Sequence, residues 1–177
     1  AIRQFLEMLP PECPPVVITQ HMPAGFTRSF AERLNKLCAL TVKEAEHGDV
    51  LRKGHAYIAP GDAHMLIADK GQGYQVVLQQ TPPVNRHRPS VDVLFDSVAE
   101  CAARKCIAVL LTGMGMDGAR GMLNLRQKGA VTYAQDERSC VVFGMPRAAI
   151  ELNAVDEIQD LVKIAPSVLG RLAAVSA

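Results

Sequence analysis

Apolar positions along this chain follow two different periods. Val16-Val17-Ile18 and Ile107-Ala108-Val109-Leu110-Leu111 are short unbroken apolar runs, the pattern of strands buried on both faces of a parallel sheet. Residues 25–38, 90–105 and 122–128 carry apolar residues at helical spacing. In the first of these, Phe26, Phe30, Leu34 and Leu37 are expected to form the buried stripe. In the second, Val91, Leu94, Phe95 and Val98 face inward behind Ser90 as N-cap. Between residues 55 and 78 the period shortens to two. Three short strands are predicted there, at 55–59, 64–68 and 74–78, separated by turns at Pro60-Gly61-Asp62 and Lys70-Gly71-Gln72-Gly73. They read as an antiparallel insertion on the edge of the main sheet, with His55 and His64 on its polar faces.

The ends of the chain complete the pattern. Residues 1–9 form a helix with Ile2, Phe5, Leu6 and Leu9 on one face, stopped by Pro10-Pro11. A parallel α/β domain is expected to open on a strand, so a first strand and its turn are expected upstream of Ala1. Residues 41–46, 130–135 and 155–158 are further strands. Residues 147–152 and 160–175 are helices, the second carrying Pro166. The fold expected is α/β: a doubly wound, mostly parallel sheet flanked by helices, with an antiparallel hairpin insertion and the first strand missing.

Composition narrows the class. At 177 residues, 49% hydrophobic, the chain suits one domain with a sizeable core. A net charge of +1 leaves no basic footprint for nucleic acid, and no apolar run is long enough for membrane insertion. The five cysteines show no C-x-x-C pairing and read as reduced thiols of a cytoplasmic protein. Neither they nor the five histidines cluster at metal-ligand spacing, so no metal is expected.

The stretch with most chemistry is Thr112-Gly113-Met114-Gly115-Met116-Asp117-Gly118, between a strand pattern and a helix pattern. Three readings fit it. Gly113, Gly115 and Gly118 satisfy G-x-G-x-x-G, with Asp136 placed as a ribose ligand for a dinucleotide-dependent oxidoreductase. Asp117 also suits the orienting acid of a hydrolytic triad, with loop N–H groups as oxyanion donors. In the third, the loop is a structural βα turn whose glycines allow positive φ and whose aspartate caps the helix that follows it. The run Gln20-His21-Met22-Pro23 follows a strand, so His21 reaches the same sheet-end crevice. Ser90 reads as a helix cap, Ser29 and Ser97 lie in helices, and Ser139 and Cys140 belong to an irregular segment. The best place for a nucleophilic serine is the turn before residue 1. Arg86 and Arg88, on the extended loop 82–89, suit an acidic partner.

Taken together, the motifs 19–27 (TQHMPAGFT), 57–61 (YIAPG), 88–92 (RPSVD), 111–118 (LTGMGMDG) and 143–146 (FGMP) resemble the chemotaxis protein-glutamate methylesterases, in their C-terminal catalytic (effector) domain. The resemblance runs from end to end and in order. It implies hydrolysis of glutamate methyl esters, with deamidation of glutamines, on the cytoplasmic helices of bacterial chemoreceptors, without a cofactor. His21 would be the general base and Asp117 its orienting acid. Met114 would lie against the imidazole and give its backbone N–H to the oxyanion hole. The nucleophilic serine would lie upstream of Ala1, in a G-x-S-x-G-G-like turn absent here. Residues 1–177 would then be an N-terminally truncated catalytic domain, its receiver domain, the target of a histidine kinase, also absent. The alternatives are a catalytically inactive receptor-binding module and the dinucleotide-dependent oxidoreductase.

Overall fold

The computed structural model describes residues 1–176. Its elements in order are α1 (Ile2–Glu7), β1 (Val16–Ile18), α2 (Phe26–Leu37), β2 (Thr41–Glu44), β3 (His55–Ile58), β4 (His64–Asp69), β5 (Tyr74–Gln79), α3 (Val91–Cys101), a 3-10 turn (Ala103–Lys105), β6 (Ile107–Leu110), α4 (Ala119–Gln127), β7 (Val131–Gln135), α5 (Met145–Glu151), β8 (Glu157–Gln159) and α6 (Leu161–Ser176). Two parallel sheets carry the fold, in the orders β1-β3-β2 and β6-β7-β8, and β4 and β5 form a separate antiparallel pair.

Expectations change at residue level in β3 and α2. His55–Ile58 is not part of the antiparallel insertion: it is the central strand of the first parallel sheet, with Ala56 opposite both Val16 and Val42. Its segment Ala56-Tyr57-Ile58-Ala59 is buried throughout, the signature of a central parallel strand, which the polar residues flanking it obscured in the sequence. The inward face of α2 is also turned by one residue. Thr27, Ala31 and Leu34 are buried while Phe26 is 60% exposed and Leu37 42%. Thr27 belongs inside because its hydroxyl donates to Glu44 and accepts the Gly61 N–H. A polar residue with both bonds made is cheaper to bury than the hydrophobic pattern suggests.

The core falls into clusters that fix how the sheets meet their helices. One cluster runs through β3, β4, α3, β6 and α4, centred on Met65, Leu94, Met122 and Leu125. A second joins α1, α2 and the β1-β3-β2 sheet through Leu6, Leu34, Leu40 and Ile58. Phe5 of α1 packs against this second cluster and also against the third, around Tyr133 and Ile164. The helix α1 therefore lies across both parallel sheets. β1 and β6 are each the end strand of their sheet.

Helices α3 and α4 pack against each other very closely. A Cβ on Gly121 would stand 2.6 Å from Phe95 Cβ and 3.0 Å from an Asp92 carboxylate oxygen. Gly121→Ala would gain helix propensity of about 1 kcal/mol, but overpacking of this kind costs roughly 1–3 kcal/mol. A lower midpoint of chemical unfolding is expected; an unchanged or higher midpoint would show that the two helices do not need this approach.

Candidate active site

Both halves of the site come from turns at the carboxyl ends of parallel strands. His21 follows β1, and its turn is held by a close backbone approach. A Cβ on Gly61 would stand 2.5 Å from Pro23 C and O and 2.6 Å from Met22 O, so only glycine lets the β3–β4 turn press against it. The Ala59 N–H donates to Ile18 O at 2.9 Å, which fixes the same junction. Asp117 follows β6, in the loop between β6 and α4. His21 Nε2 and Asp117 Oδ2 are 2.7 Å apart, although the residues are 96 positions apart in sequence.

Asp117 is 1% exposed and accepts five hydrogen bonds. Oδ2 accepts from His21 Nε2 and from the Val91 N–H, both at 2.7 Å. Oδ1 accepts from Asn85 Nδ2 at 2.8 Å, Ser90 Oγ at 2.8 Å and the Asp92 N–H at 3.1 Å. Burial by itself would raise the pKa of this carboxyl. The bonds from His21, Asn85, Val91 and Ser90 outweigh it and hold the group well below the ordinary carboxylate range. The site thus contains a fixed anion at the N-terminus of α3, where the helix end also favours negative charge.

Asp92 answers from the other helix. Its Oδ1 accepts the Gly118 N–H at 3.1 Å and the Gly121 N–H at 2.7 Å, capping α4. Each helix is therefore capped by an aspartate belonging to the other's start. The Asn85 amide spans both carboxylates, donating to Asp92 Oδ2 at 2.7 Å and to Asp117 Oδ1 at 2.8 Å. Burial raises the Asp92 pKa, partly offset by its bonds to Gly121 and Asn85, with the neighbouring Asp117 charge pushing the same way as burial.

With Nε2–H given to Asp117, Nδ1 of His21 is the nitrogen free to take a proton. Among the described residues no hydroxyl or thiol is hydrogen-bonded to this ring. Ser90 sits at the N-cap position of α3, as its spacing predicts, but its hydroxyl goes to Asp117 rather than to its own helix. Ser29 and Ser97 donate to carbonyls of their own helices, Phe26 and Leu94. Ser139 donates to Asp136 at 2.6 Å, closing the turn after β7, and accepts the Leu161 N–H at the start of α6. The Cys140 thiol is pushed up by burial, partly offset by a hydrogen bond with Thr112, and makes a long contact to Gln135 O. None of these is placed to attack.

The Met114 side chain is 76% exposed, and its backbone N–H has no partner among the described residues. The ring stacked on His21 is that of His87, with centroids 3.6 Å apart and planes within 1°. Nothing in the sequence pattern singles out His87 or Asn85 on the extended loop 82–89. Their neighbours Arg86 and Arg88 share that loop. Arg86 is exposed and has no partner among the described residues, while Arg88 points to the carbonyls of Gln80 and Thr81 at 3.5 and 3.4 Å. His64, expected on a polar face, is fully buried: Nε2 donates to Pro82 O and Nδ1 accepts the Ser90 N–H. Among the described residues no group of three His, Cys, Asp or Glu side chains could hold a metal ion, and no helix is long and apolar enough to cross a membrane.

The glycine loop is not arranged for a dinucleotide. The N-terminal N–H groups of α4, which would cradle a pyrophosphate, are occupied by the Asp92 carboxylate, and Asp117 adds a second negative charge beside them. The sequence comparison agrees: a family model described as CheB methylesterase matches residues 1–168. The chain belongs to the CheB methylesterase family. Proteins named protein-glutamate methylesterase/protein-glutamine glutaminase are 60% identical in Photorhabdus laumondii, over 97% of this chain, and 61% identical in Pectobacterium atrosepticum, over 98%. The chain spans about half the length of these curated relatives, 49% and 50%. The crystal structure of the Thermotoga maritima CheB methylesterase catalytic domain superposes with a TM-score of 0.91 at 41% identity, over 94% of this chain and 88% of that one. Neither the oxidoreductase reading nor the inactive-module reading finds support in these likenesses.

Because Asp117 caps α3 as well as orienting His21, its loss is expected to show in stability. Asp117→Ala leaves several buried donors unpaired and should cost at least about 2 kcal/mol at pH 7. The folded-state pKa is depressed, so this stabilisation is full above the unfolded value of about 4 and is lost as pH falls below it. Urea unfolding of both proteins should show the gap constant from pH 7 to about 5 and shrinking toward lower pH. A gap that is absent, or that widens on acidification, would contradict this.

Proposed function

We propose that this domain hydrolyses glutamate methyl esters, and deamidates glutamines, on the cytoplasmic helices of bacterial chemoreceptors. The observation that carries the reading is the 2.7 Å bond from His21 Nε2 to a buried, multiply bonded Asp117. It fixes one tautomer and leaves Nδ1 as a base at a sheet-end crevice. The names of the longer relatives support the ester and amide chemistry.

The nucleophile in this reading is a serine outside residues 1–177, in a turn preceding α1. Three observations support it: the unpartnered Nδ1 of His21, the absence of a competent hydroxyl among the described residues, and the end positions of β1 and β6, between which one more strand would deliver such a turn. The proton of that serine passes to Nδ1 as its oxygen attacks the ester carbonyl. The unpaired Met114 N–H faces the developing oxyanion. His21 then protonates the departing methoxide, and methanol leaves an acyl-serine. Water, deprotonated by the same nitrogen, releases the glutamate carboxylate and restores the serine.

The whole protein would work in the cytoplasm, with a receiver domain, addressed by a histidine kinase, in the half of the relatives' length that this chain does not span. Arg86, exposed and unpartnered among the described residues, would meet acidic receptor helices, and Arg88 would act beside it.

Methanol release from methylated chemoreceptor membranes by the complete protein tests the reading. His21→Ala should lower turnover by about three powers of ten or more; near-normal release would defeat the assignment. Arg86→Glu should raise KM at low salt, with a gap that closes as salt is added. A KM indifferent to salt would remove Arg86 from the docking surface.

A further inference from the structure

Residues 84–87 form a two-residue hairpin turn over the His21–Asp117 couple. Val84 and His87 exchange backbone hydrogen bonds of 2.9 Å in both directions, and Asn85 and Arg86 have φ of +53° and +68°. Two successive positive φ values match the twist of a tight hairpin. An arginine in the left-handed region carries strain that the surroundings have to overcome.

Those surroundings are on both sides of the turn. The buried His64 ties Pro82 O on one side to the Ser90 N–H on the other, and the Arg88 guanidinium reaches back to Gln80 and Thr81. The turn then places two side chains on the site. Asn85 donates one N–H to each of two buried carboxylates, and His87 lies flat on the His21 ring.

We propose that this turn is the positioning element of the His–Asp couple: Asn85 fixes the Asp117 carboxylate, and His87 fixes the plane of the His21 ring. The proposal rests on the hydrolase reading above. Neither residue reaches the reacting atoms; both act through another side chain. Asn85 suits its place because an amide nitrogen offers two donors and no charge. It therefore bridges two like charges that would otherwise repel. His87 suits its place because a flat ring at 3.6 Å stops His21 from turning out of the Asp117 bond and covers one face from water. A neutral ring there also favours the imidazolium that forms during turnover, through its π face. Burial foremost, and the adjacent His21, lower the His87 pKa against the opposing pull of the Asp117 charge.

The test uses the complete protein and two readouts. By NMR, the His21 ring protons should be shifted upfield by the stacked ring, and the Nε2–H should exchange slowly. His87→Ala should remove the upfield shift and speed exchange, whereas His87→Phe, which keeps a flat ring, should preserve both. In methanol release, His87→Ala should lower kcat about tenfold with KM within about twofold, and His87→Phe should recover to within about threefold of the parent. Asn85→Asp, nearly the same shape with a third carboxylate, should lower kcat at least about tenfold, again with KM little changed.

Loss confined to KM would mean that the turn contacts substrate, and would overturn the proposal. So would a phenylalanine variant as damaged as the alanine one, an Asn85→Asp kcat near that of the parent, or unshifted His21 ring protons in the unmutated protein. A parent protein that releases no methanol would instead refute the hydrolase reading. The ring-proton results then decide the positioning role on their own.

Discussion

A single buried carboxylate organises this domain. Asp117, on the loop after β6, sits where the N-terminus of α3 and the turn after β1 converge, and it satisfies donors from both and from the 84–87 turn. An anion this deeply buried is costly unless almost every lone pair is used. Here five hydrogen bonds use them, so ionisation and fold are mutually dependent. The same bonds that make Asp117 an effective orienting group for His21 also make it a structural cap.

The dependence extends through Asp92. Because each aspartate caps the other's helix, α3 and α4 are locked in one relative placement, and Gly121 lets them come close enough for it. Loop and helix positions are thereby transmitted to the His21–Asp117 pair with little freedom for error. The outer surface contributes the 84–87 turn, anchored by His64 from inside. What looks in sequence like a cationic loop is, in space, a lid of fixed geometry over the imidazole.

The parts of this that could be read in the sequence were those written in short-range pattern. The run 107–111 announced a buried strand, its glycine loop announced a sheet-end crevice, and the position of His21 before Pro23 announced a second residue there. Two kinds of feature escaped. His55–Ile58 was assigned to the antiparallel insertion because strand partners are chosen by long-range packing, not by the local period of two. The partners of the couple escaped because Asn85 and His87 acquire their roles only when a hairpin turn is laid across a site contributed by other strands. Ser90 shows both at once: its N-cap position was legible, but the destination of its hydroxyl, 27 residues away on Asp117, was not. The choice among a dinucleotide loop, a triad acid and a plain cap was likewise open in the loop alone. The structure does not bear out the plain cap of the following helix: Asp117 caps α3 instead and also holds His21, while α4 is capped by Asp92.

The most direct test of this account is the ionisation of Asp117 itself, followed through its side-chain carboxyl carbon by NMR as pH is lowered. The account predicts a signal that stays that of a carboxylate well below the ordinary aspartate value of about 3.9, changing only as the fold is lost. A titration near that ordinary value in the folded protein would mean that the five bonds do not hold the anion, and the central role given to Asp117 would be wrong.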